Sequence, residues 1–365
     1  MISENPRLRE KIGEKAKKVA DEILLSGERT RISEVLAETV KLGVAFHHAG
    51  LSSEHRRIIE ESFREGLVKI VTATPTLAAG VNLPSRRVIV TYSSRYSLGY
   101  NRPISVFEYK QMAGRAGRPQ YDEYGESILV ARGSDEAEYL METYVQGEVE
   151  RIESKLRDRN VLSSHLLGLI SSKGSVREED VREFFTHTLF SVQNPLSHLY
   201  REVKYALLEL EEFSMIQRLN EVYVPTKLGR RTSELYISPL SGCLFSLASG
   251  ELRAVDETLK YLLTICLSAD MPVVRITRRE KGNLEEMMYG GLEEFVREVE
   301  SYGWNDPLRA LKTALVLLDW IEEVGEDLIL ERWGVEPGDL HSLAYTAEWL
   351  LYAASEFSLL SGSFS

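Results

Sequence analysis

Helical and strand-like hydrophobic patterns alternate through the first 150 residues of the chain. Apolar residues recur at helical spacing over Glu10–Leu25 and again over Ser52–Glu65. Short apolar runs bounded by turn residues predict buried strands at Gly43–His47, Leu67–Ala73, Arg87–Tyr92 and Ser127–Ala131. Because strands that alternate with helices form parallel sheets covered on both faces, we expect an α/β domain over residues 1–150.

The pattern becomes mainly helical after Ser154. Residues 151–235 combine three helices with two short strands, which is the layout of a winged helix. These segments are Val161–Ser171, Arg177–Thr186, Leu196–Glu212, Met215–Gln217 and Val222–Val224. Residues 236–365 are almost entirely helical, over Leu252–Leu267, Leu284–Tyr302, Pro307–Val324 and Pro337–Ser358. The predicted fold class is α/β followed by all-α.

Composition is that of an ordinary soluble globular chain, with 43% hydrophobic and 27% charged residues among 365. No apolar stretch approaches the ~20 residues that cross a bilayer, and the first residues lack the apolar segment of a signal peptide. The two cysteines cannot form a disulfide scaffold, and with the seven histidines they show no metal-ligand spacing. We expect a cytoplasmic protein without membrane contact or bound metal.

The net charge of −12 is unevenly distributed. Residues 1–132 carry 21 Lys+Arg against 16 Asp+Glu, whereas the remaining residues carry 23 against 40. A basic block on an acidic chain favours a polyanionic partner such as a nucleotide or nucleic acid, although scattered surface charge would give a similar count.

The strongest chemical signal is Gln111–Pro119, QMAGRAGRP. It places Arg115 and Arg118 three residues apart, each directly after a glycine. The glycines allow close backbone approach. Paired guanidinium groups suit phosphate oxygens and the charge that develops in phosphoryl transfer. This segment therefore indicates a nucleotide site.

A second signal, Thr72–Pro84, leaves the end of a predicted strand, where open α/β sheets bind ligands. Its threonine hydroxyls and a new helix N-terminus suit a phosphate, although threonines also serve as ordinary N-caps. Further along, Thr91–Ile104 predicts a hairpin. Its Tyr96 and Tyr100 would offer stacking faces to bases, or would simply cover the sheet.

The helix Pro307–Val324 carries another candidate surface. A rotation of about 100° per residue puts Arg309, Lys312 and Trp320 on one stripe. Such a stripe suits a nucleic-acid strand that crosses the helix with one base stacked on the indole. A tryptophan at helical spacing equally suits a hydrophobic core.

These motifs resemble those of a known family. Thr72–Pro84 resembles motif V, and Gln111–Pro119 motif VI, of the superfamily 2 helicases, while Phe46–Leu51 resembles the segment before motif V in the Ski-type branch. Lys312–Glu323 and Pro337–Leu340 resemble the ratchet-type helical domain of archaeal fork-processing members, relatives of the helicase domain of DNA polymerase theta. The resemblance covers nearly the whole chain.

The resemblance implies three domains. They are a second RecA-like domain over residues 1–150, truncated at its start, a winged helix over 151–235 and a ratchet-type domain over 236–365. The sequence contains no Gly-x-x-x-x-Gly-Lys-Ser/Thr and no Asp-Glu pair followed by the catalytic His. We therefore expect the ATP and Mg²⁺ ligands of a first RecA-like half to be missing. The chain alone would bind neither group and would be inactive without that N-terminal half as its partner.

The resemblance also implies roles for individual residues. Arg115 and Arg118 would be arginine fingers directed at the γ-phosphate of ATP, and Gln111 would orient the nucleotide or the attacking water. Gly80 and Asn82 would lie near the nucleotide, although many relatives place Asp where Asn82 stands. The residues expected to contact tracking-strand phosphates are His48, Thr72 and Thr74.

The leading interpretation is the C-terminal part of an ATP-dependent 3′-to-5′ DNA helicase. Its substrates would be single-stranded and forked or branched DNA in repair or replication restart. Two alternatives remain: a non-catalytic nucleic-acid-binding relic of a helicase, and an RNA-processing Ski-type helicase. The helical third block, without an inserted arch-like domain, favours the DNA branch. The acidic helix Leu196–Glu212 favours a structural hinge over a DNA-reading helix.

Overall fold

The computed structural model describes residues 13–27, 29–75, 83, 85–91, 94–97, 100–117, 122–251, 258–292, 296–297 and 305–360. The chain divides into two compact units. One comprises Met1–Ile152 with Glu336–Asp339, and the other Glu153–Val335 with Leu340–Ser365. Within the described ranges, no helix is long and apolar enough to cross a membrane.

The first unit is mixed α/β, as the alternating pattern predicts. Its elements in chain order are α1 (Gly13–Leu25), α2 (Arg31–Lys41), β1 (Val44–His47), α3 (Ser53–Arg64), β2 (Ile70–Ala73), β3 (Arg87–Val90), β4 (Ser94–Ser97), β5 (Tyr100–Pro103), α4 (Val106–Ala113), β6 (Glu126–Leu129) and α5 (Ser134–Leu140). A π-helical turn, Met141–Val145, continues α5.

Two pairs of parallel strands lie in this unit. β1 pairs with β2 so that His47 lies opposite Ala73, and β3 pairs with β6 so that Val90 lies opposite Leu129. Parallel neighbours require a crossover, and α3 supplies it between β1 and β2. The apolar sides of α1, α2 and α3 form one core with β1. Its most deeply buried members include Ala20, Ile23, Leu36, Ala45, Leu51 and Ile59.

The second unit is mostly helical. Its elements are a 3₁₀ turn (Lys155–Arg157), α6 (Arg159–Lys173), β7 (Val176–Arg177), α7 (Glu178–Thr186), α8 (Leu189–Gln193), α9 (Leu196–Glu212), β8 (Ile216–Leu219), β9 (Val222–Pro225), α10 (Lys227–Glu234), α11 (Pro239–Glu251), α12 (Thr258–Leu267), α13 (Lys281–Met287), a π-helical turn (Met288–Leu292), α14 (Pro307–Ile321), α15 (Glu326–Trp333) and α16 (Pro337–Leu360).

Among its described residues, the second unit has one antiparallel sheet, in the order β7–β9–β8. The predicted two-strand hairpin is present as β8 and β9, and β7 adds a strand where the sequence predicted the start of a helix. One core surrounds α6 and α9, and a second joins α11 to α16. The predicted helix Leu284–Tyr302 differs from the structure, since α13 begins at Lys281 and turns π-helical at Met288.

Candidate nucleotide and nucleic-acid interface

The three residues predicted to contact tracking-strand phosphates, His48, Thr72 and Thr74, gather at one edge of the β1–β2 pair. Parallel strands end at the same edge of a sheet, so the residues that follow β1 and β2 are neighbours. The backbone amide of Thr74 donates to the carbonyl of His47 at 3.2 Å, which places His48 beside Thr74. Thr72 and Thr74 are exposed. This edge therefore combines an imidazole with two threonines.

His48 has a defined position at this edge. Its ring stacks on that of Phe46, with 5.7 Å between ring centroids and 15° between the planes. Its Nδ1 lies 3.0 Å from Oε2 of Glu336, a residue that belongs to the same unit. Glu336 thereby holds Nδ1 of His48, and Nε2 can donate to a phosphate oxygen when the ring is protonated, because only then do both nitrogens carry hydrogen.

The neighbouring His47 anchors the end of β1 from inside. Its side chain is buried, and its Nε2 lies 3.1 Å from Oε1 of Glu60 on α3. On the same helix, His55 places its Nε2 3.0 Å from the carbonyl of Ile23 on α1. These two contacts fix α3 against β1 and α1, and so fix the edge that carries His48.

The helix α4 carries the start of Gln111–Pro119, which we call the arginine motif. Ser105 caps α4, because its side chain accepts from the Glu108 amide while the Glu108 side chain accepts from the Ser105 amide. The carboxylate of Glu150 accepts from the amides of Val106 and Phe107 at 2.6 and 3.0 Å. Hydrogen bonds from the amides of Phe107, Glu150 and Val106 hold the pKa of Glu150 below its ordinary value. This end of α4 is thus fully capped.

After α4, the backbone of the arginine motif, Gln111–Pro119, is hydrogen-bonded to Ser85. That residue directly follows the threonine motif, Thr72–Pro84. The Ser85 amide donates to the Arg115 carbonyl at 2.9 Å, and the Gly117 amide donates to the Ser85 carbonyl at 2.7 Å. Gly117 has φ +96°, a conformation that favours glycine. A Cβ on Gly125 would lie 2.4 Å from the Gly117 nitrogen, so only glycine fits there.

The hydrogen bonds described above do not involve the side chains of the other predicted nucleotide-site residues. Gln111 lies exposed on α4, and Arg115 is half-buried in the turn that follows it. The residues Gly80, Asn82 and Arg118 lie outside the described residues.

The hairpin predicted over Thr91–Ile104 is confirmed by the antiparallel pairing of β4 with β5. Tyr96 pairs with Asn101, and Ser97 pairs with Tyr100. The connection between Ser97 and Tyr100 is two residues long, which is the commonest hairpin length.

On α14, the structure differs from the prediction that Arg309 and Lys312 line a strand path. Lys312 is 1% exposed, and its Nζ donates to Oε1 of Glu280 and to the carbonyl of Arg275, both at 2.7 Å. Arg309 donates from Nη2 to the carbonyl of Val273 at 3.0 Å. Both cations thus bond to the segment before α13. The buried ammonium group of Lys312 requires such close acceptors.

Trp320, the third residue of that stripe, is half-buried and packs against the core of the helical unit. Its ring meets that of His341 edge to face, with 5.2 Å between ring centroids and 76° between the planes. The neighbouring Asp319 is buried and accepts from Arg332 Nη1 and, at 2.7 Å, from Trp333 Nε1. The contacts of Trp320 favour the core alternative over a base-stacking platform.

Sequence reasoning missed three residues that position the arginine motif: Ser85, Gly125 and Glu150. Ser85 and Gly125 each stand two residues before a predicted strand, where backbone pairing and close approach are common, so each had a weak local signal. Glu150 had none, since its role depends on a contact more than forty residues away along the chain.

Family models match most of the chain. The model "Helicase conserved C-terminal domain" matches residues 7–120, "Helix-turn-helix domain" matches 125–217, and "Archaeal helicase, domain 4" matches 259–364. The first match contains the strand edge and the arginine motif described above.

Similar proteins cover the chain almost from end to end. The ATP-dependent DNA helicase Hel308 of Pyrobaculum calidifontis is 39% identical over 95% of this chain and 48% of its own length. The protein of the same name from Pyrococcus abyssi is 38% identical over 91% of this chain and 46% of its own length. The chain thus spans about half the length of the curated relatives it matches. From these matches and from the motifs at its strand edges, the chain belongs to the Hel308-type superfamily 2 helicases.

Proposed function

We propose that this chain supplies the strand-gripping and arginine-finger part of an ATP-dependent 3′-to-5′ DNA helicase. The observation that carries the proposal is the backbone bonding of Ser85 to Arg115 and Gly117, which joins the two helicase motifs. The relatives' names support DNA as the substrate and ATP as the energy source.

In this proposal, the edge of β1 and β2 holds phosphates of the tracking strand. The threonine hydroxyls are neutral donors, which position a backbone without reading its sequence, and the His48 ring would add a donor at Nε2 in its protonated form, which donates from both nitrogens. His48, Thr72 and Thr74 would each contact a phosphate oxygen. The pairing of His48 with Glu336 would hold the ring in place as the strand moves.

Arg115 and Arg118 would act on the γ-phosphate of ATP bound between this chain and a RecA-like half that carries a P-loop. Bidentate guanidinium groups suit the charge that develops on the transferred phosphoryl group. Gln111 would orient the nucleotide or the attacking water, and Gly80 and Asn82 would lie near the nucleotide. Mg²⁺ would be held by the P-loop half, since the P-loop and its acidic partner supply the ligands of that ion.

The domain assignments belong to the same proposal. Residues 1–150 would be the second RecA-like domain, 151–235 a winged helix that serves as a hinge, and 236–365 a ratchet-type domain. The β4–β5 hairpin would separate strands at a fork. The helix-turn-helix and archaeal helicase matches support the second and third assignments.

The strand edge can be tested with the chain by itself. Anisotropy of a labelled single-stranded oligonucleotide would measure binding by the parent, by Thr72→Val and by His48→Ala. A hydrogen bond to a charged group contributes about 1.5–3 kcal/mol, so each change should weaken binding roughly tenfold or more. Thr258→Val alters an exposed threonine of the other unit and should leave binding unchanged. Absence of binding by the parent chain would contradict the proposal.

A further inference from the structure

A short segment from late in the sequence packs on the loop that carries His48. We call this segment, residues 336–339, the clasp; it belongs to the same compact unit as β1 and β2. The Gly338 amide donates to the Gly50 carbonyl at 2.8 Å. A Cβ on Gly338 would overlap the backbone of residues 49–51, so only glycine fits there. Backbone contacts therefore fix the clasp on the loop that follows β1.

The clasp places a carboxylate on one nitrogen of the His48 ring. Oε2 of Glu336 lies 3.0 Å from Nδ1 of His48. The Glu336 side chain crosses Gly50 so closely that a Cβ at Gly50 would overlap it. Stacking on Phe46 fixes the plane of the His48 ring. The ring is thus held in one orientation, with Nδ1 bonded to Glu336.

Glu336 is the charged group that faces this ring. The neighbouring strand β2 contributes two threonines, whose hydroxyls carry no charge. The other histidine at the end of β1, His47, is buried and directed at Glu60 on α3. Within the described part of the chain, the ion pair with Glu336 is the one that His48 makes.

A carboxylate partner decides which nitrogen of a neutral imidazole carries the hydrogen. An ionised carboxylate only accepts hydrogen bonds, so Nδ1 bonded to Glu336 must be the donor. Nε2 of the neutral ring is then an acceptor, and it cannot bond to a phosphate oxygen, which also accepts. In the protonated ring both nitrogens carry hydrogen, and Nε2 donates. The state of the ring therefore decides whether His48 can hold a phosphate.

We infer that Glu336 is a positioning residue that makes strand binding at His48 depend on protonation of the ring. Strand phosphates would be held most tightly when the ring is protonated. They would be released as pH rises through the range in which imidazole titrates, about pH 5 to 8. This inference rests on the proposed function for its assignment of a phosphate contact to His48.

The first test measures affinity of the full chain for a labelled single-stranded oligonucleotide from about pH 5.5 to 8 at constant salt. The parent's affinity should fall roughly tenfold across this range, because a hydrogen bond to a charged group is lost. In Glu336→Gln the amide can also donate to Nδ1, so the neutral ring can carry its hydrogen on Nε2. The fall should then shrink to about twofold, since the phosphate contact persists. Loss of the Glu336 charge by itself would shift affinity at every pH and leave the shape of the profile unchanged.

Two further variants calibrate this profile. His48→Gln supplies an amide that donates at every pH, so its profile should be nearly flat. The matched control His165→Gln removes an exposed histidine of the other unit and should keep the parent's profile. If Glu336 only holds the ring in place, Glu336→Gln should give a profile parallel to the parent's. That result would overturn the inference.

A second measurement needs no nucleic acid. Imidazole ¹⁵N chemical shifts distinguish the two neutral tautomers, and His48→Gln identifies the signals of His48. At about pH 8 the parent should carry hydrogen on Nδ1 of His48, and Glu336→Gln should show an increased share on Nε2. Hydrogen on Nε2 in the parent would overturn the inference. A flat parent profile, with binding that still depends on Thr72, would reject the proton dependence alone and leave the proposed function standing.

Discussion

The backbone amide of Gly117 donates a hydrogen bond of 2.7 Å to the carbonyl oxygen of Ser85. The two residues lie more than thirty positions apart: Ser85 directly follows the motif Thr72–Pro84, and Gly117 lies within the motif Gln111–Pro119. Because the bond joins backbone atoms, it fixes the path of the chain at the arginine motif independently of side-chain conformation. A second backbone bond runs from the Ser85 amide to the Arg115 carbonyl, so Ser85 is bonded to the motif through both its amide and its carbonyl. The position of the Arg115 backbone thus depends on main-chain geometry that Gly117 and Gly125 permit.

Gly125→Ala should disturb that geometry. Its new Cβ would lie 2.4 Å from the Gly117 nitrogen and 2.5 Å from the Ala116 carbonyl oxygen. Overpacking of this kind costs about 1–3 kcal/mol of folding free energy, measurable by denaturant unfolding. The control Gly168→Ala lies within α6, where the nearest atom to a new Cβ is 4.0 Å away. It should be neutral or stabilising by up to about 1 kcal/mol, and equal losses in both variants would refute this explanation.

Trp320→Ala should reduce stability while leaving affinity for single-stranded DNA per folded molecule unchanged. The indole packs against His341 and the helical core, so its loss should cost about 3 kcal/mol, the lower end of the range for tryptophan truncation. Trp320→Phe keeps a ring against His341 and should recover much of that loss. Thermal melts and anisotropy on the same samples decide the matter. A fall in affinity with an unchanged melting temperature would restore the base-stacking interpretation.

The pairing of Glu280 with Lys312 should make stability depend on pH in acid. Burial raises the pKa of Glu280, but hydrogen bonds from Lys312 and Thr277 outweigh it, so the pKa lies below the ordinary 4.5. A lowered pKa in the folded state means that the stabilisation is complete above about 4.5 and is lost as pH falls through the folded pKa.

This dependence can be isolated with Glu280→Gln. At pH 7 the variant should be less stable than the parent, by up to about 3 kcal/mol, because Lys312 loses its charged partner. The difference in unfolding free energy should shrink below about pH 4.5, since both proteins then carry an uncharged group at residue 280. A difference that stays constant down to pH 3 would show that the ion pair does not contribute.

The β4–β5 hairpin should matter for unwinding and not for hydrolysis. Replacement of residues 97–101 by a short Gly-Ser turn, in a complete helicase that contains this chain, should reduce strand separation severalfold. DNA-stimulated ATP hydrolysis should persist, because the hairpin lies outside both motifs. The same replacement at the β8–β9 turn, residues 219–222, serves as a control. Equal loss of unwinding and hydrolysis would indicate a role in folding.

Much of the fold follows from the spacing of hydrophobic residues along the sequence. In β1, β2, α3 and α9 the apolar residues keep the spacing of a strand or a helix throughout the element. The helix α10, KLGRRTSE, was missed because it holds a single large apolar residue. It depends instead on the Thr226 N-cap and on the close approach of Gly229 to the Met215 carbonyl, where a Cβ would lie 1.8 Å away. Such tertiary contacts are not visible in local periodicity.

For the candidate site, residue spacing in the sequence identified the two motifs. The same spacing led to a wrong prediction for α14, namely that its stripe of Arg309, Lys312 and Trp320 faces a nucleic-acid strand. Arg309 and Lys312 share a helix face with Trp320, as the 3.6-residue period predicts. The period does not say whether that face meets solvent or protein. Here it meets the segment before α13, residues 273–280, and Lys312 is buried against Glu280.

ATP hydrolysis tests the central proposal most directly. The chain would be joined with the N-terminal half of a relative such as the Pyrococcus abyssi helicase, and DNA-stimulated hydrolysis would be measured for Arg115→Ala and Arg118→Ala. Loss of an arginine finger should lower the rate by about 10³–10⁵, while affinity for single-stranded DNA stays within about twofold of the parent. The control Arg132→Ala, at an exposed arginine outside the motif, should hydrolyse ATP normally. Hydrolysis that survives both substitutions in the motif would contradict the account.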